Sequence, residues 1–281
     1  MKICTLLLSL DQKLIQEYLN NHQEKSYTYE EYMNKPDTTL NDDVIIYHVP
    51  ISREKRMVLY KYLISLNYHV KIVLMHTPLP ILLTYAADKK TILDAYKYLA
   101  TPRIGVDCDV YQILDPYLFL KPLTDFKTIL NFAKENGVVK TIEKFVSTDY
   151  IHELKDINKP HETPYHLESI EEHIDMCIQN SQSDEMLITA LLHDLGKSVC
   201  KNVGSYKGHD KLSSIYAFKF FNEVLNTTVD SETIVEIINQ HMNAHRGISI
   251  KVQEENHLDD YLLVLIESFK QIDEKSRITN M

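Results

Sequence analysis

Side chains that bind metal ions are concentrated in the second part of the chain, where nine of the 13 histidines lie at or after His152. The segment LLHDLGK places His193 and Asp194 side by side near the end of an amphipathic helix, which Gly196 is expected to end or loosen. Adjacent residues on a helix diverge by about 100°, so both side chains can flank one metal ion.

Other predicted helices carry a single polar donor on an otherwise apolar face. Each of these donors is in helical phase with apolar residues: His173 with Ile170, Ile174 and Cys177; His241 with Ile234, Ile237 and Ile238; Asp273 with Leu262, Leu265, Ile266 and Phe269. His209 follows Gly208 at a loop-to-helix junction. Burying an unpaired carboxylate is costly, and coordination to a cation is the usual remedy.

Imidazoles and carboxylates without cysteine suit divalent ions such as Mn, Fe, Co, Ni, Zn or Mg. Five or six such ligands are enough for two ions, and a two-metal site activates a water and polarises phosphoryl oxygens. Any one of these histidines, taken alone, is better explained as a core or surface imidazole with a hydrogen-bond partner. It is the whole set that favours metal binding.

This set resembles the HD superfamily of phosphohydrolases over about residues 160 to 280. The family pattern is a histidine, an HD pair, two further histidines and a distal aspartate. The matching residues here, in family order, are His173, His193, Asp194, His209, His241 and Asp273. Ile272 departs from the pattern, since the family has a small residue before that aspartate. The resemblance implies that Asp194 bridges two ions, with His173, His193 and Asp273 on the first and His209 and His241 on the second.

Two further residues are assigned to catalysis beside Asp194. Lys197 stands in the family's HDxGK form, which implies that it neutralises phosphate charge, although the helix dipole alone also favours a lysine there. His166 lies seven residues before His173, hence on the same helix face two turns away, where it could contact a leaving group or a phosphate. Capping or packing is the alternative for His166.

Two other polar patterns are given structural interpretations. His241 and His245 have the spacing of a zinc-protease helix but lack its glutamate base, so His245 is expected to face solvent or to contact a metal ligand. Asp107 and Asp109 form either a metal pair or, as we favour, a polar turn at a strand end.

The elements that must position these residues fall into two classes. The first 115 or so residues predict βα units around a parallel sheet, with strands Ile3–Leu8, Val44–His48, His69–Leu74 and Val110–Ile113 and helices Asp11–Asn20, Arg53–Leu66 and Pro78–Ala87. Ser52 is expected to cap the second helix through its hydroxyl. From about Leu123 the pattern is helical: Asp125–Asn136, Leu167–Asn180, Asp184–Lys197, Lys211–Leu225, Ser231–Ala244 and Leu258–Glu274.

We therefore predict an α/β N-terminal domain with a parallel sheet (residues 1–120), a helical connector with the linker Asp156–Pro164 (121–164), and an all-α HD-type helical bundle (165–281).

The order of features in the first domain weakly resembles P-loop kinases of the polynucleotide-kinase type. No glycine precedes Gly105, so no phosphate loop can follow the first strand, and His48 stands where that group commonly has aspartate. The resemblance implies a kinase-like domain that has lost ATP chemistry and serves dimerisation, substrate recruitment or scaffolding. A homo-oligomer formed through this domain is left open.

The net charge of −10 argues against a broad surface for duplex nucleic acid but leaves a nucleotide or a strand end as substrate. The four cysteines form no CxxC pair, which favours a reducing compartment. With neither a cleavable leader nor a membrane span recognised, we expect a cytoplasmic protein without a membrane partner.

The predicted function is a metal-dependent phosphohydrolase or phosphodiesterase acting on a nucleotide, a cyclic nucleotide or a nucleic-acid phosphate end. Two alternatives stay open at this point: a di-iron oxygenase of the HD type, and a non-catalytic protein that sequesters a nucleotide. Iron content and colour would identify the oxygenase, and recovery of intact ligand would identify the sequestering protein.

Overall fold

The structure is a computed structural model that describes residues 2–34, 42–96, 98–161, 166–202 and 206–278. The chain divides into two compact units, Met1–Pro116 with Glu254–His257, and Tyr117–Gln253 with Leu258–Met281. Pro164, the end of the predicted linker, lies outside the described residues, while the linker's first residues belong to a 3-10 turn at Lys155–Asn158. The three-part domain division remains a prediction.

The first unit contains a five-stranded, fully parallel sheet, as predicted. Its strands are β1 (Lys2–Leu8), β2 (Lys25–Thr28), β3 (Val44–Tyr47), β4 (Tyr68–Met75) and β5 (Val110–Leu114), in the spatial order β2-β3-β1-β4-β5. The central strands are almost continuous runs of buried apolar residues, as expected for a sheet covered on both faces. The sequence analysis missed β2, because this short edge strand has no buried residue.

The helices of this unit are α1 (Gln12–Asn20), α2 (Tyr29–Asn34), α3 (Arg53–Ser65), α4 (Leu79–Tyr85) and α5 (Lys89–Tyr96). Ser52 precedes α3, but its hydroxyl makes no capping hydrogen bond, so the capping prediction is wrong in that respect. Asp11 does cap α1: its carboxylate accepts from the backbone N–H of Lys13 at 2.9 Å and from the hydroxyl of Thr77 at 2.6 Å. A helix N-terminus that could bind an anion is thus satisfied by an internal carboxylate.

Asp107 and Asp109 have structural partners within this unit. Asp107 is fully buried and pairs with the guanidinium of Arg56 at 2.7 Å. Asp109 accepts hydrogen bonds from the hydroxyl of Tyr60 at 2.7 Å and from the backbone N–H of Val70 at 2.7 Å. Both aspartates therefore stabilise the end of the sheet.

The region after residue 116 is all-helical, also as predicted. Its helices are α6 (Phe126–Phe145), α7 (Thr148–Leu154), α8 (Ile170–Asn180), α9 (Asp184–Leu192), α10 (Leu195–Asn202), α11 (His209–Glu223), α12 (Ser231–Arg246), α13 (Ile250–Asn256) and α14 (Asp260–Lys275). Gly137 kinks α6 with φ of 79° and ψ of 176°. Within the described ranges, no helix is both long enough and apolar enough to cross a membrane.

The predicted helix Asp184–Lys197 is two helices in the structure. α9 ends at Leu192, His193 and Asp194 form the turn, and α10 begins at Leu195. The prediction that Gly196 ends or loosens a helix is wrong, because Gly196 is the second residue of α10. The HD pair itself makes the break.

Candidate metal centre

The N-terminus of α8, one turn before His173, is stabilised by a capping box. Ser169 and Glu172 form a capping box, in which each side chain accepts from the backbone N–H of the other residue, at 3.1 and 2.7 Å. His173 lies one turn further on, fully buried between Ile170 and Ile174. The predicted inward stripe of this helix is confirmed.

The turn between α9 and α10 presents the HD pair to the interior. His193 and Asp194 are both fully buried. Gly196 lets α10 approach α11 closely, since a Cβ on Gly196 would overlap the backbone carbonyl oxygen of His209 and would lie 3.0 Å from Ser213 Oγ. This glycine therefore brings the helix that follows Asp194 against the helix that begins at His209.

The remaining donors come from three different helices. His209 is the first residue of α11, directly after Gly208, whose φ is 88°. His241 lies on the buried stripe of α12 with Ile234, Ile237 and Ile238, and Asp273 lies on that of α14 with Leu262, Ile266 and Phe269. Each helix thus contributes its donor from its apolar face.

These residues form two buried donor groups. The first consists of His173, Cys177, His193 and Asp273, and the second of Asp194, His209 and His241. Within each group the ligand atoms lie within 4.8 Å of one another. The structure thus brings together all six residues that the sequence analysis assigned to metal binding.

Asp194, a member of the second group, also faces the first group. Its Oδ2 is 3.6 Å from His173 Nε2 and 3.3 Å from His193 Nε2. Its Oδ1 is 3.3 Å from His209 Nε2 and 3.7 Å from His241 Nε2. One carboxylate oxygen therefore faces each pair of histidines.

All four histidines have their Nδ1 atoms committed to backbone carbonyl oxygens. The partners are Ser276 for His173 (3.0 Å), Ala190 for His193 (2.8 Å), Tyr206 for His209 (2.7 Å) and Ile238 for His241 (2.7 Å). Because a carbonyl oxygen can only accept, each Nδ1 carries a proton, and each ring turns its Nε2, the nitrogen that can bind a metal ion when the ring is neutral, toward the centre.

The centre therefore brings imidazole Nε2 atoms and carboxylate oxygens close together. Neither oxygen of Asp194 has a hydrogen-bond partner, although both are buried. The ammonium of Lys197 lies 2.6 Å from Oδ2, as an ion pair rather than a hydrogen bond of favourable angle. Donor atoms bound at about 2.1 Å to one ion are about 3.0 to 3.4 Å apart, which is close to the spacings found here. Divalent cations fit this donor set.

Both carboxylates of the centre are held in their charged form. Burial acts to raise the pKa of Asp194, but the neighbouring His193 and Lys197 outweigh it, and the pKa is well below the usual range. Burial likewise opposes ionisation of Asp273, whose pKa is lowered by hydrogen bonds from His173 and His245. The centre thus offers anionic oxygen donors.

Asp273 is oriented by two cationic or polar partners. His245 Nε2 lies 2.6 Å from Asp273 Oδ2, and Arg277 lies 3.2 Å from Oδ1. Of the two expectations for His245, exposure to solvent or contact with a candidate metal ligand, the structure shows the contact, which is with Asp273. These contacts fix the carboxylate so that Oδ1 lies 3.1 Å from His173 Nε2.

His166 reaches the centre by a route other than the predicted one. α8 begins at Ile170, so His166 precedes the helix, and the prediction that it shares a helix face with His173 is wrong. Its Nδ1 is 2.6 Å from Glu168 Oε1, and its ring centroid is 5.1 Å from that of His173. Its proximity to the centre comes from the bend before the helix.

The sequence analysis missed His161 and Glu168. His161 is buried, stacks on His166 at 4.1 Å between ring centroids, and directs Nδ1 to the carbonyl oxygen of Glu168 at 3.0 Å. Its Nε2 therefore accepts from Lys197 Nζ, 3.2 Å away. Burial and the charge of Lys197 lower the pKa of His161 to about 3, which keeps this acceptor neutral. The only sequence signal was the density of histidine and glutamate in PHETPYHLE.

No protein-family model, curated protein or solved structure matches this chain. The described residues nevertheless include buried His/Asp groups that could bind metal ions.

Proposed function

We propose that this protein is a metal-dependent phosphohydrolase of the HD type with two divalent ions at its centre. The observation that supports it most is the position of Asp194, whose two oxygens face two separate histidine pairs. The first ion would be held by His173, His193, Asp194 and Asp273, and the second by Asp194, His209 and His241. Nitrogen and oxygen donors suit Mn, Fe, Co, Ni, Zn or Mg.

Bound there, divalent ions supply a water that loses its proton near neutral pH and polarise the phosphoryl oxygens that it attacks. Lys197 is assigned to bind a phosphate oxygen, because its ammonium is held beside the centre by Asp194 and His161. Glu168 fixes the Nδ1 side of His166 at 2.6 Å, so Nε2 of His166 is assigned to contact the leaving group or the phosphate.

The substrate we propose is the phosphate ester of a nucleotide, a cyclic nucleotide or a nucleic-acid end. A small anionic substrate is compatible with a chain of net charge −10, whereas a broad duplex surface is not. Two ions can stabilise both the attacking and the leaving oxygen, so diesters are included with monoesters. The resemblance of the first unit to polynucleotide kinases favours a nucleotide, with that unit in recruitment, scaffolding or dimerisation.

The deciding experiment combines metal analysis with a substrate screen. The purified chain is loaded with each candidate ion and assayed on p-nitrophenyl phosphate, its bis ester, and 2′,3′-cyclic and 3′,5′-cyclic nucleotides. We expect Asp194→Asn to lose both ions and all hydrolysis, because this change removes the negative charge shared by the two groups. Glu236→Gln is the matched control, since Glu236 is a buried carboxylate on α12 outside both donor groups.

Several results would contradict the proposal. Full hydrolysis by Asp194→Asn would exclude this centre as the active site. Iron that consumes oxygen would favour the oxygenase, and nucleotides recovered intact from metal-loaded protein would favour sequestration. His209→Ala or His241→Ala should remove one ion and impair diesters more than monoesters, and equal losses would count against a two-ion mechanism.

A further inference from the structure

Cys177 belongs to the first donor group, although the sequence analysis described the site as free of cysteine. It lies one turn after His173 on α8, is fully buried, and places its Sγ 3.8 Å from His173 Nε2. Cys4, Cys108 and Cys200 are also buried and form no disulfide, but none of them joins a donor group in the described part of the chain.

We propose that Cys177 Sγ is a ligand of the first ion, an inference that rests on the metal centre of the proposed function. A sulfur at about 2.3 Å and an imidazole nitrogen at about 2.0 Å from one ion are about 3.0 to 3.7 Å apart for bond angles of about 90° to 120°. The observed 3.8 Å is close to this spacing. His193 and Asp273 supply donor atoms within the same 4.8 Å limit, so sulfur, nitrogen and oxygen converge on one point.

A purely structural cysteine is the competing explanation, in which the thiol only donates a weak hydrogen bond to His173 Nε2. That arrangement satisfies one nitrogen but leaves both oxygens of Asp194 without a hydrogen-bond partner. With an ion in place, Cys177 and His173 would both direct lone pairs at it. The ion would then explain both the position of the Cys177 sulfur beside His173 and the buried oxygens of Asp194 that have no hydrogen-bond partner.

The consequence is that the two positions differ in metal preference. Thiolate is a soft ligand that favours Zn, Fe or Co over Mg and Mn, whereas Asp194, His209 and His241 offer only nitrogen and oxygen. The first position is therefore selective for a transition metal, and the second accepts harder ions.

The test uses the full-length chain with cobalt and zinc as probes. On titration with Co²⁺ we expect a sulfur-to-cobalt charge-transfer band in the near ultraviolet in the native protein and in Cys200→Ser, the matched buried cysteine. Cys177→Ser should lose this band and keep the visible d–d bands of a nitrogen and oxygen site. Its Zn²⁺ affinity should fall by about 10- to 100-fold, with Mg²⁺ affinity unchanged. X-ray absorption of the native zinc form should show one sulfur at about 2.3 Å.

Each outcome decides the inference. Metal bound with no sulfur scatterer and no charge-transfer band would overturn the role of Cys177 while leaving the two-ion function intact. A native chain that binds only Mg²⁺ would likewise overturn the role of Cys177 alone, whereas one that binds none of the candidate divalent ions would overturn both. The spectra of the native protein need no variant, so they still test for a sulfur ligand if Cys177→Ser does not fold.

Discussion

Asp194 differs from the other buried aspartates discussed above in what its oxygens meet. Asp107 faces the guanidinium of Arg56, and Asp11 accepts from backbone and hydroxyl donors. The oxygens of Asp194 instead face the Nε2 atoms of four imidazoles and have no hydrogen-bond partner, with the ammonium of Lys197 2.6 Å from Oδ2 as an ion pair. Burying a carboxylate is costly unless cations are near it. These surroundings are those of a donor group that could bind a metal ion.

Lys197 is predicted to act on the substrate rather than on the ions. Lys197→Met keeps the length of the side chain and removes its charge, so kcat/KM on anionic esters should fall by about 10²- to 10³-fold, as for the loss of one donor to developing negative charge. Metal content should stay at the native value. Lys127→Met, which removes a lysine paired with Asp184 elsewhere in the unit, is the control. If Lys197→Met loses its ions together with its activity, the lysine supports Asp194 and does not bind phosphate.

At the scale of the elements, helical periodicity located three of the donors, His173, His241 and Asp273, whereas the HD pair and His209 were found by their local sequence motifs. His173 and His241 interrupt stripes of isoleucine at helical spacing, and such an interruption is visible in a single sequence. The same argument missed Cys177, because a buried thiol in an apolar stripe is not distinguishable from another apolar residue. His161 escaped detection because it lies in a segment without a helical repeat. Glu168 lies inside the predicted helix Leu167–Asn180 but before the observed start of α8 at Ile170, so helical phase did not indicate its direction.

Gly196 shows what local rules cannot predict. A glycine after an apolar helical run is typical of a helix end, and this rule was applied. In the structure, glycine is required at this position for a different reason, because the backbone of α11 occupies the space where a Cβ would lie. That cause depends on which helices pack together, and the spacing of residues along one helix does not contain this information.

Gly196→Ala is predicted to damage the second metal position more than the first. The added methyl must push α10 away from the carbonyl oxygen of His209, which should cost about 1 to 3 kcal/mol of stability and displace His209. Metal titration should show weaker binding of the second ion with the first little changed, and denaturant unfolding should report the loss of stability. Ser198→Ala, on the same helix, removes a local hydrogen bond to Leu195 without adding an atom, and serves as the control. Native binding of both ions in Gly196→Ala would mean that the contact between α10 and α11 does not set the position of His209.

For the molecule as a whole, metal-binding chemistry is confined to the helical unit in our proposal. Among the described residues of the sheet unit, the N-terminus of α1 is satisfied by Asp11 and Asp107 is paired with Arg56, so these two features, which could have held an anion or a cation, already have internal partners. The parallel sheet is thus compatible with a recruiting or scaffolding role.

Metal binding should stabilise the helices that carry the donors. A ligand present at about 100 times its Kd adds about 2.7 kcal/mol to the free energy of unfolding, which corresponds to about 100-fold slower exchange of the most protected amide hydrogens. Hydrogen exchange followed by mass spectrometry, with and without a chelator, should show this change in peptides from α8, α12 and α14. Peptides from β1 and β4 provide the internal reference, and Asp194→Asn should abolish the effect. Exchange in the three helices that is indifferent to both metal and chelator would contradict a metal centre built from them.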